Sequence, residues 1–440
     1  MDSDLTTFLQ TTTVADTHEH MRSEEQWLRE GPPDVLADIF SNYSPADLVS
    51  AGMSEPDMTE LLQGKKDSLE RRWATVQEPW KRIRFTGYGE AVAIGARELY
   101  GIEELSLQSI IAAQPRYAAL RRPGAQLKLF KDAGLDHMQI NDLQRRPPKP
   151  DAVAPEFYLY DLSWVQMSIH DVDYAQLAEW TGVTVKDLAT LRQAIEAMFA
   201  RYGRNAIAVK LQQAYSRPLW WEKRSDAEAE QVLQAILRDP KGADVRQRHC
   251  LGDWCLARGV EQASALKLPV KFHTGYIAGT ARMQLDDIRP AGLCALLREY
   301  PQARFVFMHM GYPYSEELIS LAKHYTGVYA SMCWAWSIAP RQACEFVRRF
   351  IHTAPVSKLL AFGGDSAWPT PTVAYCRQMR KWLTRALEQE VADGDLSERQ
   401  AIEVAGQILR ENHYQCFDIE GLRGRMVSMT PSASPKRDGG

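Results

Sequence analysis

The sequence predicts a (β/α)8 barrel of the TIM type with a helical insertion after its first strand. Three observations support this fold. Eight short apolar runs have the length of strands, and helical patterns separate them over most of the chain. A long helical stretch with few strand signals follows the first run. Five of the runs carry a histidine, an aspartate or a lysine at or near their ends, where barrel enzymes place their chemistry.

The first strand is short and ends in the motif Asp16-Thr17-His18-Glu19-His20, after the apolar pair Val14-Ala15. The other seven strands are predicted at Asp136–Asn141, Glu156–Leu162, Asn205–Leu211, Pro269–His273, Arg304–His309, Gly327–Met332 and Lys358–Phe362. Helical spacing of apolar residues lies between most of these runs. Ser225, followed by acidic residues, is typical of a helix start.

The insertion between the first two strands is helical and rich in aromatic residues. Asp67–Gln77 and Gly89–Tyr100 carry apolar residues at helical spacing, and we expect the segment to cover the barrel mouth. The predicted organisation has four parts: the start of the barrel at 1–22, the insertion at 23–131, the rest of the barrel with C-terminal helices at 132–420, and a disordered tail at 428–440.

Composition narrows the class of protein. The chain has 440 residues, of which 45% are hydrophobic and 25% charged, and its net charge of -4 gives no basic footprint for nucleic acid. No apolar stretch approaches the roughly 20 residues of a transmembrane helix, and the N-terminus has no signal-like segment. The seven cysteines show no metal-site spacing. We therefore expect a cytoplasmic homo-oligomer with reduced thiols, acting on a small molecule without a nucleic-acid or membrane partner.

The His-x-His pair is the first sign of a metal site. Side chains alternate along a strand, so His18 and His20 should point to the same side, with Glu19 pointing away. Two neutral imidazoles placed in this way suit a divalent metal. His273, His309 and Asp365 end later strands in the order that a barrel would bring around one mouth.

These motifs carry a resemblance to a known family. The chain resembles the amidohydrolase superfamily, in particular its amidohydrolase 2 group and the domains related to nodulin and fungal glutamine-synthetase-like proteins. The insertion from Trp80 to Ile102 looks more like uronate isomerases of the same superfamily. The stretches that carry the main resemblance are His18–His20, Val209–Arg217, Phe272–Tyr276, His309–Tyr314, Gly327–Ser331, Phe362–Ser366 and Ile408–Asn412.

The resemblance implies a metal site with one carboxylate and three imidazoles, contributed by His18, His20, His273 and Asp365. Such a site leaves room for a catalytic water, and zinc is the expected ion, with manganese as the alternative. Asp365 would also accept the proton of that water. His309 would be either a ligand of a second ion or a neutral hydrogen-bond donor that polarises the substrate.

Lys210 decides the expected number of ions. In binuclear relatives a lysine of the fourth strand is carboxylated and bridges two ions, whereas a free ammonium beside a dication is repelled. We expect one ion, with Lys210 contacting an anionic substrate group. Tyr215 and Arg217 follow the same strand, and Arg217 could bind a substrate carboxylate with two hydrogen bonds or form a surface salt bridge. Trp334 should line the pocket or pack against the insertion.

The predicted function is hydrolysis of a C–N (amide) bond in a small substrate that bears a carboxylate, by metal-activated water. The alternative is a lyase or isomerase on the same site, as in decarboxylation of an aromatic acid or isomerisation of a uronate. An inactive barrel kept for binding is a third reading. The intact ligand set argues against it, because clustered charged groups are costly to retain without a use.

Overall fold

Eight parallel strands form the centre of the structure. The computed structural model describes residues 3–429, and in it the strands pair in chain order from first to last. A hydrogen bond of 3.0 Å from Thr17 N to Phe362 O joins the first strand to the segment after the eighth. The strands are β1 (Val14–Glu19), β2 (Leu135–Ile140), β3 (Tyr158–Ser163), β4 (Ala206–Leu211), β5 (Val270–Phe272), β6 (Phe305–Phe307), β7 (Val328–Ser331) and β8 (Leu359–Leu360). The predicted barrel with a helical insertion after its first strand is confirmed.

One helix precedes the barrel and eight form the insertion between β1 and β2. Ser68 and Thr86 cap two of the insertion helices, and Gly101 ends the second of these in the left-handed region at φ 67°. The insertion has an apolar core of its own. The helices are α1 (Asp4–Thr11), α2 (Glu24–Glu30), α3 (Val35–Ile39), α4 (Ser44–Ser50), α5 (Glu55–Gln63), α6 (Leu69–Ile83), α7 (Gly87–Tyr100), α8 (Leu107–Leu120) and α9 (Ala125–Asp132).

Helices alternate with strands in the rest of the barrel. Ser225 and Glu228 form the capping box that begins the helix after β4. The helices are α10 (Val165–Ile169), α11 (Tyr174–Thr181), α12 (Leu188–Tyr202), α13 (Asp226–Arg238), α14 (Val245–Ala265), α15 (Cys294–Glu299), α16 (Ser315–His324), α17 (Ala335–Ile338) and α18 (Pro340–Thr353). Of the helices given so far, the sequence did not predict α1, α10, α11 or α17, which are too short to show a clear period.

The C-terminal part is helical to the end of the described residues. It consists of α19 (Pro369–Asp393), α20 (Glu398–Gly406), a π-helical turn (Gln407–Glu411), α21 (Asn412–Cys416) and α22 (Ile419–Met429). Of the predicted disordered tail at 428–440, residues 430–440 lie outside the described part of the chain. None of the helices described here is both long and apolar enough to cross a membrane.

The insertion is fastened to the barrel where the strands end. Helix α7 packs against α19, and Gln378 Nε2 donates to the Gly87 carbonyl and to Glu90 Oε2, each at 2.8 Å. Tyr43 Oη, at the start of α4, donates to the backbone carbonyl of Asp365 at 2.5 Å. The insertion therefore contacts the loop that carries the predicted aspartate ligand.

Candidate metal centre

The first half of the site is the His-x-His pair with Asp365. The Nε2 atoms of His18 and His20 lie 3.4 Å apart, and they lie 3.2 Å and 3.3 Å from Asp365 Oδ1. The backbone holds this arrangement, because Asp365 N donates to the His18 carbonyl at 3.0 Å. Glu19 takes no part in the cluster, and its carboxylate accepts a hydrogen bond from Ser366 N at 2.5 Å. It thereby holds the loop that presents Asp365.

The second half comes from the ends of β5 and β6. His273 Nδ1 and His309 Nε2 are 2.9 Å apart, and His309 Nε2 is 3.8 Å from Asp365 Oδ2. Asp365 thus lies between the two pairs of imidazoles, with one carboxylate oxygen towards each. All these side chains are buried except that of His20, which is 9% exposed. The possible ligand atoms of each half lie within 4.8 Å of one another, so each half could hold a metal ion.

Hydrogen bonds to carbonyl oxygens fix the tautomers of three imidazoles. The outer nitrogens lie close to backbone carbonyls: His20 Nδ1 to Asn141 O at 2.9 Å, His273 Nε2 to Tyr276 O at 3.0 Å and His309 Nδ1 to Cys333 O at 2.9 Å. A carbonyl only accepts, so each outer nitrogen carries the proton. The inner nitrogens of the neutral rings therefore present lone pairs to one another and to Asp365. This is the arrangement that metal-binding histidines adopt.

Burial keeps these imidazoles neutral. Desolvation is the main cause that lowers the pKa of His20 to about 4 and of His309 to about 3, with the neighbouring Lys210 charge adding to it. Desolvation also raises the pKa of the Asp365 carboxyl to about 7, against the effect of Lys210. The site thus contains neutral imidazoles and a carboxyl group whose pKa lies near neutral pH.

The Lys210 ammonium is buried without a hydrogen-bond partner among the described residues. Burial lowers its pKa to about 8, although Asp365 and Asp161 act in the opposite direction. An unpaired buried amine of this kind is costly unless a ligand or a covalent carboxyl group satisfies it. The geometry fits either of the two roles that the sequence left open for Lys210.

Lys271 and Asp161 form a buried ion pair next to His18, which the sequence did not predict. Lys271 Nζ donates to both oxygens of Asp161, at 2.8 Å and 3.0 Å, and to the Thr17 carbonyl at 2.8 Å. Asp161 Oδ2 lies 3.7 Å from His18 Nδ1. Lys271 sits inside an apolar strand and pairs in register with Lys210. The sequence could have indicated this ion pair through Lys271, because a lysine within a buried apolar run needs a partner.

Aromatic side chains of the insertion and of two barrel loops close the space beside His309. Trp334 contacts the His309 ring at a centroid distance of 5.3 Å and Tyr43 at 4.2 Å, and it stacks on Tyr88 at 6.1 Å. The two roles expected for Trp334 therefore coincide, since it packs on the insertion and also lines the site. Trp334 Nε1 and Tyr88 Oη are buried without partners in the described chain, which leaves two polar atoms for a ligand.

Tyr215 lies beside the cluster, whereas Arg217 does not contact it. The Tyr215 ring is 4.7 Å from that of His273, and its hydroxyl accepts from Ala278 N at 3.0 Å. The Arg217 guanidinium is fully buried and donates to Asp253 Oδ1 at 2.7 Å. It also donates to the Ser168 carbonyl at 3.1 Å. The structure therefore does not bring Arg217, expected to bind the substrate, to the cluster, because its guanidinium already joins α10 and α14.

The hydrogen bonds of His309 bear on the two alternative roles expected for it. A neutral His309 has one N–H, and the Cys333 carbonyl takes it. The inner nitrogen is thus a lone pair, which can bind a cation but cannot donate to a substrate oxygen. Of the two roles considered for His309, the geometry is compatible with that of a ligand.

Solved structures share this fold over nearly the whole chain. Uronate isomerase from Thermotoga maritima superposes with a TM-score of 0.75 at 13% identity, over 94% of this chain and 96% of that one. A Lactobacillus casei protein to which metal-dependent hydrolase activity is attributed superposes with a TM-score of 0.67 at 16% identity, over 97% and 99%. At these identities the likeness establishes the fold alone.

Sequence comparison identifies the family. Protein fluG of Emericella nidulans is 28% identical over 197 residues, which make up 43% of this chain. The match covers 22% of that longer protein. The amidohydrolase family profile matches residues 150–402, which include Lys210, His273, His309 and Asp365. With the barrel and its cluster of imidazoles around one carboxylate, this match shows that the chain belongs to the amidohydrolase family, whose members are enzymes.

Proposed function

We propose that the protein is a metal-dependent hydrolase that cleaves the C–N bond of a small amide bearing a carboxylate. One observation carries the proposal: the inner lone pairs of His20, His273 and His309 converge on Asp365 in a buried site. Lone pairs that face one another at 2.9 Å are unfavourable without a cation between them. Membership of the amidohydrolase family supports the same reading.

The residues present fit a divalent ion. Imidazole nitrogens and one carboxylate suit zinc, and also manganese. We propose that His18, His20, His273 and Asp365 would hold it and that His309 would join them. When bound, such an ion supplies Lewis-acid activation of water and of a carbonyl oxygen. We propose one ion per chain, and carboxylation of Lys210 would instead create the bridge of a two-ion site.

Asp365 is the proposed proton carrier. Its carboxylate oxygens lie 3.2 Å from His18 Nε2 and 3.8 Å from His309 Nε2, so Asp365 would lie beside the water that a bound ion activates. The carboxylate accepts a proton from the water that attacks the amide carbonyl. It then donates this proton to the nitrogen of the leaving amine as the C–N bond breaks, so the products are a carboxylic acid and an amine.

The walls of the site would orient the substrate. Lys210 Nζ, Trp334 Nε1 and Tyr88 Oη are buried donors without partners in the described chain, and a polar substrate would satisfy them. Tyr43 and Trp334 would exclude water from the reacting bond. We place Tyr215 against the substrate too, because its ring lies next to that of His273.

The experiment that tests the proposal combines metal analysis with a substrate screen. Purified protein is expected to contain about one zinc or manganese per chain, and chelation should abolish activity that the same ion restores. The screen should contain N-acyl amino acids and γ-glutamyl amides. A protein without stoichiometric metal, and without activity when ions are supplied, would refute the proposal. Two ions per chain together with a mass increase on Lys210 would replace the one-ion site.

The second candidate is a non-hydrolytic lyase or isomerase on the same residues. The superposition on uronate isomerase extends over 94% of this chain and thus includes the insertion. Uronates and hydroxybenzoates therefore belong in the screen. Turnover of a uronate or release of CO2, without cleavage of any amide, would favour this candidate over hydrolysis.

A further inference from the structure

A cleft of about 580 Å3 opens beside His20, between the loops that follow β1 and β2. Its size is that of an ordinary small-molecule site. Of the imidazoles in the candidate metal centre, that of His20 lines the cleft. The His20 side chain is also more exposed than that of His18, at 9% against 1%. The cleft therefore reaches the edge of the site at His20.

Four basic residues line this cleft, and they differ in what neutralises them. Arg29 pairs with Glu25 at 3.0 Å and Glu30 at 2.6 Å, and Arg146 pairs with Asp142 at 2.5 Å. Lys149 is exposed, so water solvates its ammonium. The charges of these three side chains are therefore already neutralised by a carboxylate or solvated by water.

Arg22 is the exception. Its side chain is half-buried, and no carboxylate of the described chain lies within salt-bridge distance of its guanidinium. Its backbone is fixed on both sides, since Arg22 N donates to Ala367 O at 3.2 Å and Gln126 Nε2 donates to Arg22 O at 3.0 Å. A partly desolvated guanidinium on a fixed backbone is suited to bind a carboxylate from outside the chain.

Trp368 holds the guanidinium in place. The Arg22 Cζ lies 5.3 Å from the centre of the Trp368 ring, and stacking of this kind leaves the in-plane N–H groups free. Arg22 follows His20 by two residues, and Trp368 follows Asp365 by three. The stacked pair thus joins the two loops that begin at metal-site residues. An anion bound to Arg22 would lie at the side of the cluster where the cleft enters.

We propose that Arg22, supported by Trp368, binds the carboxylate of the substrate and makes the enzyme specific for small carboxylates. This inference rests on the proposed function for the identity of the reacting site. It also moves the anion-binding role from Arg217, which is paired within the fold, to the other side of the barrel mouth. The uncharged end of the substrate, with its scissile bond, would then point from the cleft towards Asp365.

Binding of a matched pair of probes to the metal-loaded protein tests the proposal without needing turnover. N-Acetylglycine carries a carboxylate, and N-acetylglycinamide replaces it with an uncharged amide. Calorimetry or ligand-observed NMR would give both dissociation constants for the wild type, Arg22→Gln, Arg22→Lys and Arg29→Gln. Arg29→Gln removes a charge that Glu25 and Glu30 already neutralise, so it is the matched control.

The wild type should prefer the carboxylate by about tenfold or more, since hydrogen bonds to charged groups have strengths of this order. Arg22→Gln should reduce the preference to below about twofold, Arg22→Lys should restore it in part, and Arg29→Gln should keep it. An unchanged preference in Arg22→Gln, or none in the wild type, overturns the proposal. A preference that depends on Arg22 in a protein that hydrolyses no amide would uphold this binding role and refute hydrolysis.

Discussion

His309 Nε2 lies 2.9 Å from His273 Nδ1, while the other nitrogen of each ring faces a backbone carbonyl. Both inner nitrogens therefore carry lone pairs when the rings are neutral, and burial holds the pKa of both rings low. Two such atoms at this distance repel each other, and a cation between them turns the repulsion into coordination. Backbone carbonyls in the loops after β5 and β7 thus fix which nitrogen of each ring carries the proton.

The first prediction concerns this pair. His309→Ala should lower the affinity for zinc by at least about 10- to 100-fold, because it removes an inner lone pair and its carbonyl anchor. Competition with a chromophoric chelator measures the affinity, and His324→Ala, which changes an exposed histidine of α16, is the control. Equal affinities of the two variants would exclude His309 as a ligand.

Asp365→Asn should reduce kcat by at least about 100-fold while the protein stays folded. Asp365 adopts φ 55°, a left-handed conformation that asparagine also tolerates, so the substitution should leave the backbone unchanged. It removes the group that accepts the proton. Kinetics on a substrate from the screen and a thermal melt would be compared with Asp395→Asn at an exposed position. Near-normal turnover would remove Asp365 from the proton-carrier role.

Arg217→Ala should affect stability rather than substrate affinity. Arg217 and Asp253 are both fully buried. Loss of the guanidinium leaves a buried carboxylate whose one remaining cationic partner among the described residues is Arg224, at 3.4 Å. We expect a loss of about 3–5 kcal/mol in the free energy of unfolding. The double variant Arg217→Met with Asp253→Leu should recover part of it. Denaturant titration checks this, and a raised KM with unchanged stability would return Arg217 to the substrate.

Acid should weaken the fold through His170. Burial lowers the pKa of this imidazole to about 3, from an unfolded value of 6.5, so between these values the unfolded chain binds a proton that the folded chain does not. This contribution to stability is complete above pH 6.5 and is lost as the pH falls. At pH 5 the loss should be about 2 kcal/mol.

His170→Asn is the matched variant, because His170 has φ 50° and asparagine tolerates that region. The change in unfolding free energy from pH 7.5 to pH 5.0 should be smaller in this variant than in the wild type by about 2 kcal/mol. Identical pH profiles would show that folding leaves the pKa of His170 unchanged, which would contradict this prediction.

The sequence by itself determined the barrel and the positions of the cluster. Strand alternation is a local property, so the His-x-His spacing already implied two imidazoles on one side of β1. The carboxyl ends of parallel strands meet at one mouth, so His273, His309 and Asp365 could be placed beside that pair without knowledge of any contact. The expected homo-oligomer and cytoplasmic location stay predictions.

Only the tertiary structure decided how each charged side chain is used. Arg217 and Arg22 both follow strands near predicted site residues. Asp253 from a distant helix neutralises Arg217, whereas no carboxylate of the described chain neutralises Arg22. The tautomer of His309 depends likewise on the Cys333 carbonyl, 24 residues further along the chain. Such partners are set by packing between distant segments, which no local pattern encodes, because a side chain's charge and tautomer respond to whatever the fold brings within hydrogen-bond distance.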